Sequence, residues 1–66
     1  MKRKQRTWLY RIRQKLKFNF VEMAKYLEIP LTTYRSYELG DRNPTVAQAK
    51  DLASKLNIEW TIFFEK

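Results

Sequence analysis

A chain of 66 residues with 14 Lys or Arg, 7 Asp or Glu and no His carries a formal charge of +7. At this length folding buries roughly 60% of the surface the unfolded chain exposes, enough for one core and no second domain. Without Cys or His the chain has no disulfide, no zinc site of the usual ligand types, and no Cys/His or Ser/His catalytic pair, so neither a metal nor a cofactor is expected and an enzyme is excluded. A reducing, intracellular setting is the expectation that follows. The 44% hydrophobic and 15% aromatic content is too apolar for a disordered basic tail. No apolar run approaches the roughly 18 residues that would span a bilayer, and no signal-peptide core follows the basic start.

The charge is unevenly placed. Lys2, Arg3, Lys4, Arg6, Arg11, Arg13, Lys15 and Lys17 give the first 17 residues +8 with no acid among them. The remaining 49 residues hold six basic and seven acidic side chains, a net −1. A basic edge on a nearly neutral body suits a chain that approaches a polyanion from one side. A solvated tail that aids solubility is the bland alternative.

In chain order, apolar residues recur at three and four, which predicts an all-α chain. Helix one is predicted from Thr7, as N-cap, to about Leu16, with Trp8, Leu9, Ile12 and Leu16 on one ~100° stripe. Helix two follows Asn19, with Glu22 completing a capping box, and runs over about 20–27 through Met23, Ala24 and Leu27. Pro30 separates it from helix three, about 31–39, which ends at Gly40 in a left-handed cap. Asp41, Arg42 and Asn43 form a polar loop before Pro44. Thr45 caps helix four, whose inward face is Val46, Ala49, Leu52, Ala53 and Leu56 and whose stop is Asn57. A fifth, short helix from Glu59 carries Trp60, Phe63 and Phe64.

Only Glu28, Ile29 and Pro30 separate helices two and three, a spacing that suits two helices meeting at a wide angle. On spacing alone this is any αα-corner. The residues Met23-Ala24-Lys25-Tyr26-Leu27-Glu28-Ile29 and Thr32-Thr33-Tyr34-Arg35-Ser36-Tyr37-Glu38-Leu39-Gly40-Asp41-Arg42-Asn43-Pro44-Thr45 go further. They resemble the phage repressor and Cro-type (XRE) helix-turn-helix family, and with Ile12-Arg13 upstream and Leu52 to Ile58 downstream the resemblance covers residues 8 to 64. It implies a compact five-helix domain of the lambda-repressor-like type over residues 7–66, preceded by a basic flexible arm over residues 1–6. Four positions depart from the pattern: Glu28 replaces the Gly of the sharp turn, Pro30 and Leu31 replace small polar residues, and Phe20 replaces a Gln that contacts phosphate and braces the reading helix.

The resemblance also implies roles. Helix three would lie in a major groove with Leu31, Thr32, Arg35 and Ser36 facing bases, while Tyr34 and Tyr37 turn inward. Arg35 is the strongest reader, because a guanidinium can meet guanine O6 and N7 together; a solvated surface arginine is the alternative. Asn19, Arg42 and Asn43 would contact phosphates, or serve only as caps and turn residues. Arg13 and Glu38 would pair between helices one and three. Lys2, Arg3, Lys4 and Arg6 resemble a DNA-wrapping arm; in a eukaryotic chain the same run would suggest a nuclear signal. Trp60, Phe63 and Phe64 either close the core or, with Ile62, leave Trp60, Ile62 and Phe64 as a dimer contact. Phe20 and Val21 form a second partner surface or an extra staple.

The function expected is a sequence-specific regulator of transcription, prokaryotic or from a phage or other mobile element, occupying a palindromic operator on double-stranded DNA as a homodimer. It would be cytoplasmic and associated with the nucleoid, with no membrane and no small-molecule ligand. Two rivals are an antitoxin with DNA-binding autoregulation and a small basic RNA- or ribosome-binding protein.

Overall fold

The computed structural model describes residues 5–65. Among the described residues there are four α-helices: α1 (Thr7–Lys15), α2 (Phe20–Leu27), α3 (Leu31–Leu39) and α4 (Val46–Leu56). The expected fifth helix is instead a five-residue 3-10 turn, Trp60–Phe64. Its i→i+3 bonding is the usual form of so short a segment, which could not repay the cost of nucleating an α-helix. None of the helices is long and apolar enough to cross a membrane.

The caps explain the starts. At α2 the Asn19 side chain accepts from the Glu22 amide and the Glu22 carboxylate accepts from the Asn19 amide, both at 2.8 Å. Thr45 and Gln48 build the same reciprocal box at α4, so both entry points satisfy two amides that the helix itself cannot. Thr7 is no cap: it is the first helical residue, and Arg6 stands at the N-cap without a side-chain bond to the helix start.

The ends share one device. Lys17, Glu28, Gly40 and Asn57 all adopt the left-handed conformation. Behind each, an amide reaches back five residues: Phe18 to Arg13, Ile29 to Ala24, Asp41 to Ser36 and Ile58 to Ala53. These are four Schellman closures, which satisfy the last carbonyls of each helix. Phe18 and Ile29 then pack against the core, the hydrophobic contact that accompanies the motif. Only α3 uses glycine for this turn. At α2 the end is held from outside, because Lys55 Nζ donates to the Leu27 carbonyl at 2.9 Å and pairs with Glu28 at 3.5 Å.

The core gathers Leu9 from α1, Met23, Ala24 and Leu27 from α2, Tyr34 and Tyr37 from α3, Ala49 and Leu52 from α4, and Phe63. Two expected core positions fall outside it: Leu16 is 38% and Val46 49% exposed. Each sits at a helix boundary, where the stripe has run past the neighbour it would pack on. Trp60 is half-buried and Phe64 exposed, so Phe63 alone of the three C-terminal aromatics is buried.

The non-glycine turn at Glu28 is testable. A left-handed residue with a Cβ costs about 1–2 kcal/mol, and glycine gives back about 0.4–1 kcal/mol through the freer unfolded chain. Glu28→Gly also gives up an exposed ion pair worth little. The expected outcome is a gain of about 0.5–1 kcal/mol in urea unfolding; equal or lower stability would show that the turn carries no strain.

Candidate nucleic-acid interface

Helix α3 has two faces. Tyr34, Tyr37 and Glu38 are buried, while Leu31, Thr32 and Arg35 are exposed and Ser36 is half-buried on the other side. What fixes this face is a buried ion pair. Arg13 Nε donates to Glu38 Oε1 at 2.8 Å and Nη2 to Oε2 at 3.2 Å, a bidentate geometry that sets angle as well as distance. The Tyr34 hydroxyl donates to the same carboxylate at 2.6 Å, and Arg13 Nη1 donates to the Phe18 carbonyl at 3.0 Å. Among the described residues no buried side-chain nitrogen or oxygen lacks a partner, the condition under which a buried charge is tolerated.

The titrations follow from this packing. The bond from Arg13 to Glu38 raises the pKa of the guanidinium despite its partial burial. Burial first, and then donation to Glu38, push the Tyr34 hydroxyl far above its ordinary value.

A second clamp lies where the sequence suggests a free arm. Arg6 is only 8% exposed. Its guanidinium donates to the Tyr37 carbonyl, to the Arg42 carbonyl at 3.0 Å and to Asn43 Oδ1, and its amide donates to the Glu38 carbonyl at 2.9 Å. Burial lowers its pKa, with Tyr37 acting in the opposite direction. Arg6 is therefore not part of a flexible arm: it ties the start of the described chain to the end of α3 and to the loop beyond. A cation is well placed there, against the negative end of the helix dipole. Local sequence gives no hint of this, since Arg6 reads as one more member of a basic run. The other expected arm residues, Lys2, Arg3 and Lys4, lie outside the described residues.

Three residues proposed for phosphate contact differ in what they have left to offer. Arg42 is exposed. Asn43 is exposed too, and Arg6 holds its carbonyl oxygen, so the amide NH2 is the end free to donate. Asn19 spends its side-chain oxygen on the α2 cap, and the Glu22 carboxylate sits at that same helix start, where it competes with any incoming anion. The loop thus offers better phosphate donors than the start of α2.

Phe20 sits between α1 and α3. Its ring lies under two guanidinium groups, 4.4 Å from Arg13 and 5.8 Å from Arg35, with Tyr34 at 6.0 Å. The C-terminal residues Trp60 and Phe64 meet edge to face at 6.1 Å, and Ile62 is half-buried. A cavity of about 490 Å³ lies between Trp8, Arg6 and the segment Ile62 to Glu65. No cluster of three acidic or metal-ligating residues occurs among the described residues.

A short corner between α2 and α3, an outward polar face on α3 and basic side chains around it define a helix-turn-helix unit. The Helix-turn-helix family model matches residues 9–63, and the chain belongs to that family. The chain is also similar to an uncharacterized HTH-type transcriptional regulator, YqaF, of Bacillus subtilis (strain 168), with 40% identity over 60 residues, covering 91% of this chain and 79% of the relative. No solved structure matches it significantly.

The buried phenol gives the interface a measurable pH signature. A pKa raised in the fold means that stability is fully present below the unfolded value near pH 10 and is lost as pH rises toward the folded value. Above pH 10 the wild-type unfolding free energy is expected to fall with pH more steeply than that of Tyr34→Phe, by up to about 1.4 kcal/mol per pH unit. Parallel slopes in the two proteins would contradict the assignment.

Proposed function

We propose that this protein is a sequence-specific, double-stranded-DNA-binding regulator of transcription that acts by occupying an operator. Family membership and the likeness to a transcriptional regulator support DNA binding and regulation. The observation that carries the specific reading is the outward face of α3, with Leu31, Thr32 and Arg35 exposed and Ser36 half-buried beside them, while Glu38 is gripped from behind.

In this reading α3 enters the major groove. Arg35 donates two hydrogen bonds to a guanine, worth roughly 1–3 kcal/mol of discrimination, Thr32 and Ser36 serve neighbouring bases, and Leu31 packs on a thymine methyl. Arg42 and the Asn43 amide bind phosphate beside the reading helix, with a lesser part for Asn19. Lys2, Arg3 and Lys4, with Arg11, Lys15 and Lys17, supply attraction that is blind to sequence and falls with salt. The operator is a palindrome read by a homodimer on DNA, with Trp60, Ile62 and Phe64 as the contact between copies; the 43% exposure of Phe64 favours this part. The setting is the cytoplasm of a prokaryote, with the protein drawn to the nucleoid by DNA.

Selection of bound duplexes from a randomised pool tests the reading. The expected product is a palindrome with half-sites about one helical turn apart, and Arg35→Ala should lose about 1–3 kcal/mol of preference at one guanine per half-site. No enrichment, or equal binding of structured RNA in competition, would overturn it.

A further inference from the structure

Arg35 presents a problem that its surroundings solve. It is an exposed arginine in the middle of α3, and such a side chain carries about 2 kcal/mol of rotamer entropy. An acidic partner would hold it still, but only by consuming the N–H donors and cancelling the charge that a guanine needs. An aromatic face within about 6 Å restrains a guanidinium through the ring quadrupole and leaves all five donors free.

The Phe20 ring is such a face, 5.8 Å from the Arg35 guanidinium. It is itself well fixed. Phe20 is the first residue of α2, directly behind the Asn19–Glu22 capping box, and its ring packs against the core. The Arg13 guanidinium lies 4.4 Å from the same ring. Two cations can share one ring here because Glu38 compensates the charge of Arg13. The result is a continuous array, Glu38 to Arg13 to Phe20 to Arg35, running from a buried carboxylate to the exposed base-reading face.

We propose that Phe20 is a positioning residue for sequence reading: its ring pre-orders the Arg35 guanidinium toward the DNA without spending its donors. The proposal rests on the assignment of Arg35 as a base reader and adds a specificity determinant outside α3. It also gives a role to an apolar residue at the rim of a polar interface, where a simple staple would need no arginine above it.

The test compares Phe20→Leu, which keeps apolar bulk and removes the π face, with Phe20→Trp, which keeps the face. Both are measured in the Arg35 and Arg35→Ala backgrounds. The probes are the duplex enriched from the randomised pool and the same duplex with the Arg35-dependent guanine replaced. Phe20→Leu is expected to weaken binding of the enriched duplex about two- to five-fold. The loss should vanish in the Arg35→Ala background and on the guanine-replaced duplex, and Phe20→Trp should restore affinity. In the unaltered protein without DNA, the Arg35 Hδ protons should resonate upfield of their random-coil position, from the ring current, a readout that does not depend on any variant folding. Equal losses in both backgrounds, no loss, or random-coil Arg35 shifts would overturn the proposal. If Arg35→Ala itself leaves base preference intact, the base-reading assignment fails and the proposal falls with it. If Arg35→Ala costs preference while Phe20→Leu does not, the positioning role alone fails.

Discussion

The carboxylate of Glu38, buried on the inner side of the helix proposed to read DNA, is the constraint on which the rest of the structure depends. Three donors from two side chains converge on it: Arg13 Nε and Nη2 from α1 and the Tyr34 hydroxyl from α3 itself. A buried ion pair contributes little net stability, because desolvating both ions offsets most of their attraction, yet losing one partner is strongly destabilising. Its value here is geometric. A bidentate guanidinium–carboxylate contact holds α3 at one rotation relative to α1, and rotation decides which side chains face outward. Apolar packing of Tyr34 and Tyr37 supports the same orientation with less directional force.

Seen from this pair, the charge of the chain divides into three parts. Arg13 and Arg6 are structural cations, one gripping the buried side of the last turn of α3 through Glu38 and the other the backbone at its C-terminal end and the loop after it. Among the described residues, Arg11, Lys15 and Lys17 are exposed and stay available for attraction to a polyanion. Arg35, the residue proposed to choose the site, is linked back to the pair through its neighbour Phe20. The net charge of the N-terminal segment therefore overstates what it offers to DNA, since Arg6 and Arg13 are already committed inside the fold.

Much of this architecture is legible in the sequence because it is local. The Asn19-to-Glu22 box, the cap at Thr45, the left-handed stop at Gly40, the stop at Asn57 and the inward face of α2 each follow from residues within one or two helical turns, whereas the inward turn of Tyr34 and Tyr37 comes from family resemblance. What escapes is non-local or unfavourable by propensity. Arg6 meets partners more than thirty residues away, and nothing in its own neighbourhood distinguishes it from Lys4. Lys17 and Glu28 adopt a conformation that disfavours any side chain, so composition points away from them; the apolar Phe18 and Ile29 just beyond are the signal that a Schellman closure occurs there. The pairing of Arg13 with Glu38 comes from family resemblance, since no local pattern links positions 25 residues apart. Neither local pattern nor resemblance places Phe20, whose partners come from two other helices.

The central claim is that the buried pair exists to orient α3, and replacing it wholesale tests this most directly. In the triple variant Arg13→Met, Tyr34→Phe, Glu38→Leu, apolar groups of similar size take the place of the ions and of the hydroxyl that would lose its acceptor, so folding stability should be retained or increased. Measured against the duplex enriched from a random pool, such a variant should bind at least about tenfold more weakly, a change of ~1.4 kcal/mol, and discriminate less between bases. A folded triple variant that keeps full affinity and base preference would contradict the claim.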